Sequence, residues 1–86
     1  MHVILVSRTF QKQFQKLSTA MKKRVRKGLS ELEKDPLKRR AKVDIKVLVG
    51  TDPTKRRLRV GDYRIIYIVE KRTVKIIEIF PRGRGY

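Results

Sequence analysis

The stretch Lys55-Arg56-Arg57-Leu58-Arg59-Val60-Gly61-Asp62-Tyr63-Arg64-Ile65-Ile66-Tyr67-Ile68-Val69 decides the fold. In an extended chain successive side chains alternate between faces, so Lys55, Arg57 and Arg59 fall on one side and Leu58 and Val60 on the other. Cations on one face and aliphatics on the other describe a half-buried strand. Gly61-Asp62 has the length and residue types of a tight hairpin connection. Tyr63 to Val69 is apolar on both sides, which reads as a central strand and leaves the face taken by Arg64 open. A third strand is predicted from Val74 to Phe80, reached through Glu70-Lys71-Arg72-Thr73. The three form an antiparallel meander.

Upstream of the meander, Thr51-Asp52-Pro53-Thr54 is a turn, and Val43, Ile45, Val47 and Val49 alternate strictly, predicting a short strand that ends at Gly50. Before it the period changes. Phe10, Phe14, Leu17, Met21, Val25, Leu29 and Leu32 recur at spacings of three and four, one helical stripe that reads as core. Ser7 and Ser18 both sit where N-caps belong, so two antiparallel helices of roughly 10 and 16 residues fit better than one rod. Asp35-Pro36 ends the second, because proline denies its predecessor the helical region. His2 to Val6, short and rich in branched residues, is an N-terminal strand. The expected fold is therefore α+β: a strand, a two-helix hairpin, then an antiparallel meander with the helices packed on one sheet face.

The chain carries 24 Lys and Arg against 8 Asp and Glu in 86 residues, a formal charge of +16. So short a chain is expected to form a single domain, residues 1–86, because it cannot support two cores. With no cysteine and one histidine, disulfide scaffolds, thiolate zinc sites, iron–sulfur clusters and cysteine nucleophiles are excluded, and no metal or cofactor is expected. The apolar run Val3–Val6 is too short for a signal peptide or a membrane span, so a cytoplasmic protein is expected. A thermophile-like surface would enrich both signs of charge. Here cations outnumber anions threefold, which points to a polyanionic partner, with nucleic acid or a nucleoprotein first.

The cations concentrate on the first meander strand and on the basic tail Pro81-Arg82-Gly83-Arg84-Gly85-Tyr86. A tight Gly61-Asp62 hairpin brings Arg59 and Arg64 together, and Arg82 joins them if the last strand pairs with the second. An unneutralised arginine cluster is what a phosphate site looks like before its ligand arrives. Arg56, Arg59, Arg84 and the helix-face Lys22 and Lys23 are candidate RNA-binding residues. Tyr63 and Tyr67 read as core.

The sequence lacks the carboxylate clusters of two-metal phosphoryl chemistry and any glycine-rich phosphate loop. Metal-free RNA cleavage needs less: the substrate's own 2′-hydroxyl attacks, and the protein supplies a base, cationic stabilisation of the phosphorane and a proton donor. Arginine is never that base. Lys55 and Tyr86 qualify if neighbouring cations depress their pKa values; one unit charge at about 6 Å in an effective dielectric of 20 is worth about 2.8 kcal/mol, roughly two pK units.

Leu48-Val49-Gly50, the run Arg57-Leu58-Arg59-Val60-Gly61-Asp62-Tyr63-Arg64-Ile65-Ile66-Tyr67 and the tail Pro81 to Tyr86 resemble the RelE/ParE superfamily of toxin–antitoxin toxins, most of all its short archaeal RelE-type members. The resemblance spans the whole chain in element order. It implies a toxin that enters the ribosomal A site and cleaves mRNA there, held in check by an acidic RelB-like antitoxin. By position it assigns Lys55, Arg57, Arg64, Arg82 and Tyr86 as catalytic residues that activate the 2′-hydroxyl, stabilise the phosphorane and protonate the 5′-oxygen. Arg56 stands where the superfamily commonly has an aromatic or aliphatic residue, and position 57 is Arg rather than Lys. The sequence runs to Tyr86, and no helix is expected beyond it to hold the tail. ParE-like relatives share the Gly-Asp-Tyr-Arg core and are implicated in poisoning DNA gyrase. A gyrase-directed toxin and a non-catalytic RNA- or ribosome-binding domain are therefore the alternatives, and retention of Lys55, Arg82 and Tyr86 together favours the nuclease.

Overall fold

The structure, a computed structural model, describes residues 1–83. In chain order the elements are β1 (Val3–Val6), α1 (Arg8–Gln15), α2 (Thr19–Lys34), β2 (Asp44–Leu48), β3 (Lys55–Val60), β4 (Tyr63–Glu70) and β5 (Thr73–Pro81). The strands form one five-stranded sheet in the order β1-β5-β4-β3-β2. From β2 to β5 it is an antiparallel meander, and β1 adds to β5 in parallel. β4 lies at the centre, as its two-sided apolar sequence predicts.

Both helices begin at the expected serines. Ser7 accepts from the Phe10 N–H at 2.9 Å and Ser18 from the Met21 N–H at 3.1 Å, each satisfying a donor that the first helical turn leaves without a partner. The helical stripe and one face of the sheet close on a core of Phe10, Val25, Leu32, Ile45, Leu58, Ile65, Tyr67, Val74, Ile76 and Ile79. Gly28 marks the closest approach of α2 to β3: a Cβ there would lie 3.1 Å from both Leu58 and Val60.

Several details differ from the sequence reading. β2 ends at Leu48, and only Val43 and Ile45 of the alternating valine and isoleucine series are buried; Val47 and Val49 are exposed. β2 is an edge strand, so the alternation outlasts the cover above it. Glu70 and Thr73 pair with each other, which shortens the last turn to Lys71-Arg72, with Lys71 at a φ of 55°. β5 carries an irregularity: Ile66 pairs with Glu78 but Tyr67 pairs with Ile76, so Ile77 is an extra residue. The Ser7 hydroxyl donates to the Ile77 carbonyl, and Gln13 Oε1 accepts from the Ile79 N–H at 2.7 Å. The N-cap and a side chain near the end of the first helix thus satisfy β5 where β1 no longer pairs with it.

Candidate RNA-binding and cleavage face

The face of the sheet turned away from the helices takes its side chains from alternate positions of each strand. Asp44 and Lys46 come from β2, Lys55, Arg57 and Arg59 from β3, Arg64 and Ile66 from β4, and Glu78 and Phe80 from β5. The register settles these positions: Asp44 stands opposite Arg59, Arg59 opposite Arg64 and Arg64 opposite Phe80, while Lys46, Arg57, Ile66 and Glu78 form the adjacent rung. Ile66 and Phe80 are buried yet lie outside the main core cluster, as residues of the opposite face must. Arginine stems can cover apolar surface while keeping their heads wet, and Arg57 and Arg64 stand beside Ile66 and Phe80 on these rungs.

Arg64, whose parity the sequence left open, therefore joins the cationic face. Arg82 follows β5 at the same end of the sheet; its N–H donates to the Asp62 carbonyl at 2.6 Å, tying it to the turn between Arg59 and Arg64. Lys55, Arg57, Arg59, Arg64 and Arg82 are thus drawn from two adjacent strands, β3 and β4, and from the residue that follows β5. Arg84 and Tyr86 lie outside the described residues. Arg56 does not join the set: it stands opposite Tyr67 on the helix-covered face. Lys22 and Lys23 are on α2, on the far side of the sheet, and the Lys22 ammonium lies 5.9 Å from the Phe14 ring centroid.

The turn that closes this end of the sheet depends on Gly61, whose φ of 57° other residues rarely adopt. A Cβ there would also come within 2.8 Å of the Arg24 guanidinium. Arg24 thereby reaches the same corner from α2, a contact with no sequence signal beyond its charge. Beside it a groove of about 540 Å³ runs between α2 and the outer strands, floored by Val43, Leu58 and Val60 and rimmed by Arg24, Lys27 and Lys42.

Carboxylates near the cationic face are few. Asp44 Oδ1 accepts from Arg57 Nη2 at 3.1 Å and lies 3.6 Å from Arg39 Nε. Sequence reading passed over Asp44 because its value comes from strand pairing, which sets it diagonal to Arg57. Glu78 was equally hidden: the extra residue at Ile77 switches the parity of β5 and turns Glu78 and Phe80 to the open face.

The framework behind the face is built from neutralised or buried polar groups. Tyr67 is fully buried and its hydroxyl donates to the Pro36 carbonyl at 2.7 Å. Burial pushes this phenol far above its ordinary range, and the Arg56 and Arg40 charges offset that only in part. Arg40 closes the end of α2, donating to the Glu31 carbonyl at 2.9 Å, the Asp35 carbonyl at 3.1 Å and the Glu31 carboxylate at 3.3 Å. Arg40 first and Lys34 second hold the Glu31 carboxyl below its ordinary value, and the Leu37 and Lys38 N–H groups do the same for Asp35. Among the described residues no three His, Asp or Glu side chains come together, and no helix is long and apolar enough to cross a membrane.

Residues 4–86 match the family model described as the ParE toxin of type II toxin–antitoxin system, parDE. The archaeal RelE–RelB complex of Pyrococcus horikoshii contains a chain similar to this one at 32% identity and a TM-score of 0.83, with 98% of each chain covered. The RelB–RelE antitoxin–toxin complex of Methanococcus jannaschii is similar at 26% identity and a TM-score of 0.75, covering 90% of this chain and 88% of that one. The isolated E. coli RelE toxin shares the fold at 18% identity and a TM-score of 0.65, over 99% and 88% of the two chains. No curated protein matches the chain significantly.

Proposed function

The chain belongs to the ParE toxin family of type II toxin–antitoxin systems, within the RelE/ParE superfamily, and from that premise we propose that it is a ribosome-dependent, metal-free mRNA endonuclease. The observation that carries this reading is the open sheet face, where Lys55, Arg57, Arg59 and Arg64 stand on neighbouring rungs beside Arg82. A phosphorane carries more negative charge than the phosphodiester it comes from, so guanidinium groups fixed around it stabilise the transition state more than the ground state. Lys55 is the titratable cation of that set and Tyr86 the titratable group of the tail; between them they provide the base for the 2′-hydroxyl and the acid for the departing 5′-oxygen. The ribosome supplies the substrate conformation, in line with a face that is open and cationic rather than a closed pocket.

The partner that restrains such a toxin is an acidic, RelB-like antitoxin. Support comes from the RelE–RelB composition of the two archaeal complexes and from the charge of +16, which no partner could bury without supplying carboxylates. The expected compartment is the cytoplasm, where messages are translated.

The match to a ParE family model favours one second reading, a gyrase-directed toxin. Mapping mRNA 5′-ends in a translation extract, with and without the protein, separates the two. New 5′-ends within translated frames support the nuclease. Intact messages together with gyrase-dependent breaks in DNA would establish the rival.

A further inference from the structure

We propose that Asp44 is a positioning residue for Arg57: its carboxylate holds the guanidinium on the open sheet face so that the donors it leaves free are presented to a phosphate. The inference rests on the nuclease reading and names a residue that reading does not use.

Asp44 is the first residue of β2, and the strand register sets it directly opposite Arg59 and diagonal to Arg57. Its carboxylate lies between two cations, Arg57 and Arg39. The Nη2 contact at 3.1 Å uses one of the five N–H donors of Arg57, and Arg39 flanks the same oxygen at 3.6 Å. An arginine on an open strand ordinarily samples many rotamers, and that freedom is lost when it grips a ligand. Arg57 has already lost it, with a side chain only 14% exposed against 35% for Asp44.

A second observation points the same way. Arg57 Nε is buried and makes no hydrogen bond, although an unsatisfied buried donor costs stability. Asp44 takes only the far end of the group. With Nε shut away from solvent, a phosphate meets the guanidinium at its Nη end, the end whose orientation Asp44 sets.

A carboxylate here has two opposing effects on a nucleic acid. Its charge repels phosphate and weakens binding, while its grip on Arg57 preserves the geometry in which the transition state is stabilised. A merely structural residue would show neither effect separately. Removing the charge while keeping the shape, Asp44→Asn, should therefore bind message-programmed ribosomes carrying a 2′-deoxy nucleotide at the cleavage position as tightly as the parent or about two- to fivefold tighter. The same variant should cleave the all-ribose message about ten- to a hundredfold more slowly in single turnover.

Asp44→Glu, which keeps the carboxylate, should recover most of the rate. In the double variant with Arg57→Ala, the loss should equal that of Arg57→Ala alone, because Asp44 acts only through Arg57. Wild-type cleavage by Asp44→Asn, or losses that multiply in the double variant, would overturn the proposal. Arg57 guanidinium ¹⁵N–¹H resonances give a readout independent of cleavage: distinct and slowly exchanging in the parent, collapsed in Asp44→Asn. If the parent chain cuts no message, the nuclease reading fails and that signal alone decides the positioning; an unchanged signal in Asp44→Asn would refute it.

Discussion

Arg59 and Arg64 stand directly opposite each other across the hairpin that joins β3 to β4. Like charges facing one another on a sheet are unfavourable, by about 0.2–1 kcal/mol relative to neutral pairs. Asp44 and Phe80 complete the rung on either side. Stability alone would place a β-branched or oppositely charged pair at this position; on the proposed reading the rung serves a ligand that brings negative charge.

Relieving the opposition should separate folding from function. Arg59→Thr is expected to raise the urea midpoint, by about 0.2–1 kcal/mol in unfolding free energy, and to weaken RNA binding. Arg64→Ala is expected to cut the cleavage rate by about a hundredfold or more while leaving most of the affinity. A parallel loss of binding and rate in Arg64→Ala would assign that residue to ground-state affinity.

Binding to ribosomes or single-stranded RNA should weaken steeply with salt, with a logarithmic slope of about −0.7 for each phosphate neutralised. Lys22→Gln with Lys23→Gln should lower affinity slightly and leave the saturated cleavage rate unchanged, because both lie beyond the sheet from the cationic rungs. A filter-binding series at several salt concentrations checks this. If the helix lysines proved essential to cleavage, the assignment to the sheet face would be wrong.

Much of this arrangement was legible in the sequence. Serines at the two N-caps, the three-and-four spacing from Phe10 to Leu32 and the alternation from Lys55 to Val60 each reflect a local rule, and local rules survive folding. Other features depend on pairing partners remote in sequence. The parity of Arg64 emerged only with the register against Arg59, and the switch at Ile77 that exposes Glu78 depends on how β5 meets both β4 and the first helix. Arg56 showed the limit of reading cations as one set: adjacent in sequence to Lys55 and Arg57, it points to the other face. Asp44 carried no signal at all until β2 was placed beside β3.

Tyr67 supports the face from behind, fully buried with its hydroxyl on the Pro36 carbonyl. Tyr67→Phe leaves the Pro36 carbonyl without its donor and should cost about 1–2 kcal/mol of stability, with cleavage unchanged at temperatures where the variant is folded. The raised phenol pKa stabilises the native state fully below the ordinary tyrosine value of 10.0, and that contribution is lost as pH rises above it. Chemical denaturation between pH 8 and about 11 should therefore show an alkaline decline that Tyr67→Phe lacks.

At the acid end the sign reverses. Glu31 and Asp35 are held below their ordinary values of 4.5 and 3.8, so their contribution is present above those values and is lost as pH falls through the depressed range. Arg40→Gln removes the first cause of the Glu31 shift and three contacts at the end of α2. Thermal melts from pH 7 to about 3 should show a lower midpoint throughout for this variant and a shallower acid decline.

The most direct test of the central claim is the chemistry of the cut ends. Attack by the 2′-hydroxyl on the adjacent phosphate leaves a 2′,3′-cyclic phosphate, or the 3′-phosphate from its hydrolysis, and a 5′-hydroxyl. The reaction must fail where the attacking nucleotide is 2′-deoxy and must survive EDTA in any assay whose ribosomes tolerate it. End analysis of message cut on programmed ribosomes should return those termini for the parent chain, with a large rate loss and little change in affinity for Lys55→Arg, which keeps the charge and removes the titratable amine. Ends bearing a 5′-phosphate and 3′-hydroxyl, or full cleavage by both Lys55→Arg and Tyr86→Phe, would contradict it.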